Sequence, residues 1–168
     1  MTILNPHLSH LQCTLCASHF PANQPMNLCP HDQRPVQMMY DTEALKDTNW
    51  YQPEHRDMTR FAGLLPLADG FQTFGTGFTP LLNYDDHPLA KKLGFQLSVK
   101  DEGKGHAGFG QNPTHSFKDR GMAVVANIAS HFGLHKLAVP TQGNAGDSLA
   151  WFAHQMGLSA TVIMPDEK

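Results

Sequence analysis

Between residues 88 and 164 short apolar runs alternate with longer amphipathic ones, and that alternation restricts the chain to an α/β layer architecture. We expect a helix at 88–93, a strand at 96–100, a helix at 118–132, a strand at 137–140, a helix at 145–156 and a strand at 160–164. In the helix after Lys118, the residues Met122, Val125, Ile128, Ala129 and Phe132 recur every three or four positions. That spacing predicts one core-facing stripe.

The segment Asn112-Pro113-Thr114-His115-Ser116-Phe117-Lys118-Asp119-Arg120-Gly121 places a lysine where a loop opens into that helix. A free lysine is protonated at neutral pH, so nucleophilic work requires desolvation or a positive potential nearby, and a helix start provides part of the latter. Lys118 is a candidate nucleophile of this kind; alone it could equally be a solvated first-turn lysine. Further on, Thr141-Gln142-Gly143-Asn144-Ala145-Gly146 joins a strand to a helix. Glycines let a ligand approach the backbone, and the helix start favours an anion. The same six residues also read as a plain capping turn.

Three cysteines fall within residues 13 to 29, an odd number that does not build a disulfide framework. Cys13-Thr14-Leu15-Cys16 is followed by Cys29-Pro30-His31-Asp32, a pair of knuckles with the spacing of a zinc ribbon. Asp32 holds the fourth-ligand position, and His31, the preferred chemistry, stands one residue early. The alternative is a metal-free, degenerate ribbon. A redox CxxC would need a surrounding βαβ pattern, which is missing.

The lysine and asparagine blocks, together with Gly75-Thr76-Gly77-Phe78-Thr79-Pro80-Leu81 and Val99-Lys100-Asp101-Glu102-Gly103, resemble the pyridoxal-phosphate enzymes of fold type II, the tryptophan-synthase-β group. Within that group the wording of the blocks and the cysteine ribbon are similar to those of the threonine synthases. The resemblance runs from about residue 11 to the end of the chain. It implies an α/β, incomplete fold type II domain with a zinc-ribbon-like N-terminal segment. It implies that Lys118 carries pyridoxal 5'-phosphate as an aldimine, that Phe117 packs by the cofactor ring, and that Asn144 hydrogen-bonds the ring hydroxyl. Thr141, Gly143, Asn144 and Ala145 would surround the carboxylate of a small amino-acid substrate. Cys13, Cys16, Cys29 and Asp32, or His31 in its place, would hold zinc, where such ribbons usually have four cysteines.

The chain departs from the pattern twice. His115 stands where the group has glycine, and a histidine tolerates positive φ less well. Residues 104–111 form an insertion that we expect to be a flexible surface loop. Gly103, Gly105 and Gly108 satisfy a GxGxxG pattern, but the pattern does not open into a helix, so it is no dinucleotide site.

The expected organisation is a ribbon-like segment at 1–40, a helical segment at 41–75 and a partial cofactor domain at 76–168. In the middle segment, 42–46 and 58–67 are expected helices, and Trp50, Tyr51 and Phe61 are expected packing anchors. His131, His135 and His154 read as solvated helix-side residues. The loop and pyridine-nitrogen partner that complete such a site lie, in this group, beyond the asparagine turn. We therefore expect the N-terminal part of such an enzyme, from a truncated gene or a fragment, inactive by itself.

The net charge is −3, from 12 basic and 15 acidic residues, and leaves no footprint for nucleic acid. No run reaches the ~18 apolar residues of a membrane helix, and the N-terminus lacks a signal pattern. These features lead us to expect a cytoplasmic protein, and the resemblance leaves homo-oligomerisation of the complete enzyme open. The complete enzyme, by resemblance, converts O-phospho-L-homoserine and water to L-threonine and phosphate. A threonine or serine dehydratase, a cysteate synthase, and a catalytically dead remnant or interaction module are the other readings.

Overall fold

The computed structural model describes residues 3–166. Near the N-terminus, Leu8–Cys13 (β1), His19–Phe20 (β2) and Val36–Tyr40 (β3) form an antiparallel sheet in the order β2-β1-β3. Leu11 and Cys13 alternate inward along β1, the period of a strand with one covered face. Together with the C-terminal end of the Lys118 helix, this sheet encloses a cavity of about 80 Å3, whose walls include Leu11, Met26, Val36, Ile128 and Phe132.

Residues 41–75 carry less helix than expected. Asp41 accepts from Ala44 N at 3.0 Å and starts the short helix Thr42–Lys46 (α1). Met58–Leu64 is a 3-10 helix, capped by Asp57 and broken at Phe61, instead of a regular helix reaching residue 67. Pro66 explains its end: the residue before a proline is driven to extended backbone, and Leu65 takes φ −78 and ψ 149. Asn5 closes the exit, its Nδ2 donating to Gly63 O at 2.9 Å and Leu65 O at 2.8 Å. Trp50 and Phe61 both pack on Tyr51, with ring centroids at 5.7 and 5.5 Å, and all three rings stay partly exposed.

Leu81–Asn83 (β4) and Ser98–Lys100 (β5) pair antiparallel around Pro88–Leu93 (α2). The remaining elements are Lys118–His131 (α3), Lys136–Pro140 (β6), Asn144–Gln155 (α4) and Ser159–Ile163 (β7). β6 and β7 pair in parallel through α4, which makes a βαβ unit. Gly146 allows α4 to press on this sheet: a Cβ there would lie 2.8 Å from Thr141 Cγ2 and from Val162 Cγ1.

The buried face of α3 differs from the expected stripe. Of that stripe Ala129 is buried but Val125 is 43% exposed, while Ala123, Ala126 and Asn127, outside it, are buried. Small residues bring α3 close to α4, where Ala123 and Ala126 meet Phe152 in the core. Asn127 tolerates burial because its amide is fully used. Its Oδ1 accepts from Gln72 N at 2.8 Å, and its Nδ2 donates to Gln72 O at 3.0 Å and Ala123 O at 2.8 Å.

Candidate functional site

Lys118 is the first residue of α3, and its side chain is exposed, with Nζ 4.6 Å from the centroid of the Phe117 ring. The turn before it is held from inside. Asp119 is fully buried; its Oδ2 accepts from Thr114 N at 2.8 Å and its Oδ1 from Thr114 Oγ1 at 2.6 Å. A carboxylate in the first helical turn is also favoured by the helix dipole. Lys118 N donates to Ser116 Oγ at 3.2 Å. His115 occupies the left-handed region at φ 60, so the turn forms with a histidine where glycine would be unstrained.

A second set of contacts clasps this turn from outside, and sequence reasoning gave these residues no role. Arg120 Nη2 donates to Glu102 Oε2 at 2.8 Å, to Glu102 Oε1 at 3.1 Å and to Thr79 Oγ1 at 3.0 Å. Asn112, fully buried, donates from Nδ2 to Glu102 Oε2 at 2.5 Å, while its Oδ1 accepts from Gly77 N at 3.2 Å. The available signal was opposite charge in two adjacent motifs, Glu102 in one and Arg120 in the other.

The insertion is anchored, contrary to the expectation of a loose loop. Phe109 stacks on Phe78 with centroids 5.4 Å apart, Gly110 N donates to Phe78 O at 3.1 Å, and Gln111 N donates to Gly75 O at 3.2 Å. At its start, Asp101 takes hydrogen bonds from Gly103 N and Lys104 N, both at 3.0 Å, and contacts His106 Nε2 at 2.8 Å. Those bonds, led by the Lys104 N–H, hold the Asp101 carboxyl down at about 2. No helix starts within residues 103–108, which agrees with rejecting a dinucleotide site there.

The asparagine turn is sparser. Gly143 N donates to Thr141 Oγ1 at 3.2 Å, and Thr141 N donates to Ile163 O at 2.9 Å. α4 has no side-chain cap; Gly146 N donates to Gly143 O at 2.8 Å, and among the described residues the N–H groups of Asn144 and Ala145 are left without a side-chain acceptor, where a helix start favours an anion. A Cβ on Gly143 would meet nothing within 4 Å, which leaves open space before the turn. Thr141 and Gln142 also line a crevice of about 460 Å3 at the carboxyl ends of β6 and β7, together with Pro140, Ile163, Met164 and Pro165. Of the four candidate residues only Thr141 lines this crevice; Gly143, Asn144 and Ala145 follow it in the turn, and Asn144 opens the helix packed against the one that Lys118 opens. An amine at one helix start, with uncapped N–H groups and an amide at the next, is a donor set that fits pyridoxal phosphate.

Far from the lysine turn in sequence, Cys13, Cys16, Cys29 and Asp32 bring their ligand atoms within 4.8 Å of one another. Cys16 Sγ and Cys29 Sγ are 3.7 Å apart, and Cys13 Sγ lies 3.3 Å from Asp32 Oδ2. Tetrahedral zinc with Zn–S bonds of ~2.3 Å has sulfur–sulfur edges of about 3.8 Å, so the spacing suits that ion. The group takes in Asp32 and not His31, whose ring instead stacks on Phe20 at 6.1 Å. The Arg34 N–H holds the Asp32 carboxyl down at about 2, whereas burial pushes the Cys29 thiol up to about 11. A metal would have to displace that thiol proton.

Of the three histidines expected on helix sides, His135 and His154 are exposed and His131 is half-buried against Phe132. Among the described residues no helix is long and apolar enough to cross a membrane.

Comparison with known proteins addresses the lysine region directly. Residues 72–168 match the family described as "Pyridoxal-phosphate dependent enzyme". Threonine synthase from Methanosarcina acetivorans is 32% identical over 161 residues, which cover 95% of this chain and 38% of that protein. Threonine synthase from Methanocaldococcus jannaschii is 32% identical over 139 residues, 79% of this chain and 32% of the relative. The threonine synthase of Bacillus sp. (strain ULM1) is 36% identical over 116 residues, 66% of this chain and 30% of its own length. The chain thus spans between 30% and 38% of the length of these curated relatives. No solved structure matches it significantly. With the family match extending over both the lysine and the asparagine turns, this chain belongs to the pyridoxal-phosphate dependent enzymes.

Proposed function

We propose that these residues are the lysine-bearing part of a threonine synthase, which converts O-phospho-L-homoserine and water to L-threonine and phosphate. One observation carries the reading: Lys118 and Asn144 open two helices that pack on each other, each at a turn fitted to a ligand. The bound cofactor supplies an electron sink for charge that develops at the substrate's Cα. Lys118 holds the cofactor and then moves protons at Cα and Cβ, while Asn144 bonds the ring hydroxyl and Phe117 packs beside the ring. Thr141, Gly143, Asn144 and Ala145 surround the substrate carboxylate, to which Asn144 and Ala145 offer the N–H groups that the start of α4 leaves uncapped.

The organisation that goes with this reading is a ribbon at 1–40, a connecting segment at 41–75 and a cofactor domain at 76–168, in the cytoplasm. Zinc bound by Cys13, Cys16, Cys29 and Asp32 stabilises the ribbon. Because the chain spans between 30% and 38% of its relatives' length, we expect the 168 residues by themselves to bind the cofactor weakly and to show no turnover.

Borohydride reduction in the presence of pyridoxal phosphate, followed by peptide mapping, should place the pyridoxyl group on Lys118. Labelling of that peptide that persists in Lys118→Ala would remove the assignment. For the ribbon, elemental analysis should find about one zinc per chain, as a single four-ligand site requires. Asp32→Ala should release it and His31→Ala should not; wild-type protein purified metal-free without chelators would exclude the zinc site.

A further inference from the structure

We propose that Glu102 is the positioning residue of the lysine turn, a role that deepens the cofactor reading and rests on it only for the purpose of the aim. The residue itself stands outside the lysine motif, two residues past the end of β5, yet its carboxylate holds that motif on both sides of Lys118. Upstream it accepts from Asn112, and downstream from Arg120. Both partners reach onward to the same neighbouring loop, Asn112 to Gly77 N and Arg120 to Thr79 Oγ1. The turn and the first helical residues are therefore clamped to the segment just after β5, through one carboxylate that accepts from two side chains, and to the loop that holds Gly77 and Thr79.

Physical chemistry favours positioning over mere surface pairing. Glu102 and Arg120 side chains are only 23% and 32% exposed, so solvent screens the pair less than it would a surface pair. Asn112 is fully buried, and its NH2 has no other partner among the described residues. Removing the carboxylate leaves a buried donor unsatisfied and a guanidinium unpaired, and both changes fall on the segment that carries Lys118. Asp119 secures the turn from within, but it bonds only Thr114 and does not fix the turn's attitude to β5. Glu102 supplies that attitude, which decides where the lysine amine is aimed.

The test uses the 168-residue chain with Glu102→Ala and Glu102→Gln, read by amide hydrogen exchange and by borohydride trapping of pyridoxal phosphate. In Glu102→Ala, exchange within residues 112–120 should rise about tenfold, the scale of one lost charged hydrogen bond, with amides of α4 and β1 unchanged. Trapping at Lys118, relative to the other lysines, should fall by about the same factor. Glu102→Gln, which keeps one acceptor oxygen for Asn112 and Arg120 but not the charge, should restore part of both. Wild-type exchange at 112–120 in Glu102→Ala would overturn the proposal, and so would a rise spread evenly over α3 and α4, which marks a general loss of stability. If Glu102→Ala does not fold, Glu102→Asp, one methylene too short to reach both partners, carries the same expectations. A wild-type chain with no label at Lys118 would defeat the cofactor reading, and the exchange pattern would still decide the clasp.

Discussion

The lysine turn and the asparagine turn belong to one candidate site but are built in opposite ways. Around Lys118, buried Asp119 and Asn112 and the Glu102–Arg120 pair fix the backbone through side chains. Around Asn144, a threonine hydroxyl bonds a glycine N–H, and the exposed asparagine side chain hydrogen-bonds none of the described residues. A group that must be aimed is over-determined by the fold. A group that must receive a ligand is left with its hydrogen-bonding capacity unspent.

The contrast can be broken most severely at Gly110. A Cβ there would collide with the carbonyl oxygens of Gly77 and Arg56, which are backbone and cannot swing away. Gly110→Ala should cost about 3 kcal/mol or more in urea unfolding, since overpacking against fixed atoms is at the costly end of such changes. A smaller cost would show that the insertion is a loose loop after all.

Next in size is the pair Asp119→Ala and Asn144→Ala. The first strands two donors of Thr114 and should cost about 2 kcal/mol. The second removes an exposed side chain and should change stability by less than about 0.5 kcal/mol. Their effects on trapped cofactor should be closer together than their effects on stability; equal stability losses would erase the distinction between aimed and receiving turns.

His115→Gly relieves a left-handed histidine and should stabilise the chain by about 1 kcal/mol, the strain reduced by glycine's greater unfolded-state freedom. Thermal unfolding would register this as a small upward shift. A loss would show that the imidazole makes a favourable contact.

The mildest test is titration of the insertion's anchor. Asp101 falls from an ordinary carboxylate value of 3.8 to about 2 in the folded chain, so its contribution is fully present above about pH 4 and is lost as pH falls through 2. Asp101→Asn should flatten that acid limb of the melting curve. An unchanged limb would assign acid sensitivity elsewhere.

The parts of this molecule legible in its sequence are those with local signals. A lysine ahead of a helical run, and glycines and asparagine between strand and helix, announced the helix starts at Lys118 and Asn144. The buried face of α3 was not legible, because a helix can pack closely through alanines and one satisfied asparagine while Val125 faces outward. Nor was the clasp, because Glu102, Asn112, Arg120 and Thr79 meet only after the chain has folded back on itself. The choice between His31 and Asp32 likewise required the turn to exist before either side chain had a direction.

Asn127 carries a kinetic consequence. Its amide joins α3 to Gln72 across 55 residues of chain. Closing a flexible loop of that size costs about 3.5 kcal/mol of chain entropy by the logarithmic rule, and less once the β4–β5 hairpin inside it has formed. During synthesis Gln72 emerges well before its partner. The stretch around it must wait unfastened, and a protease added to nascent or refolding chains should cut there until α3 docks.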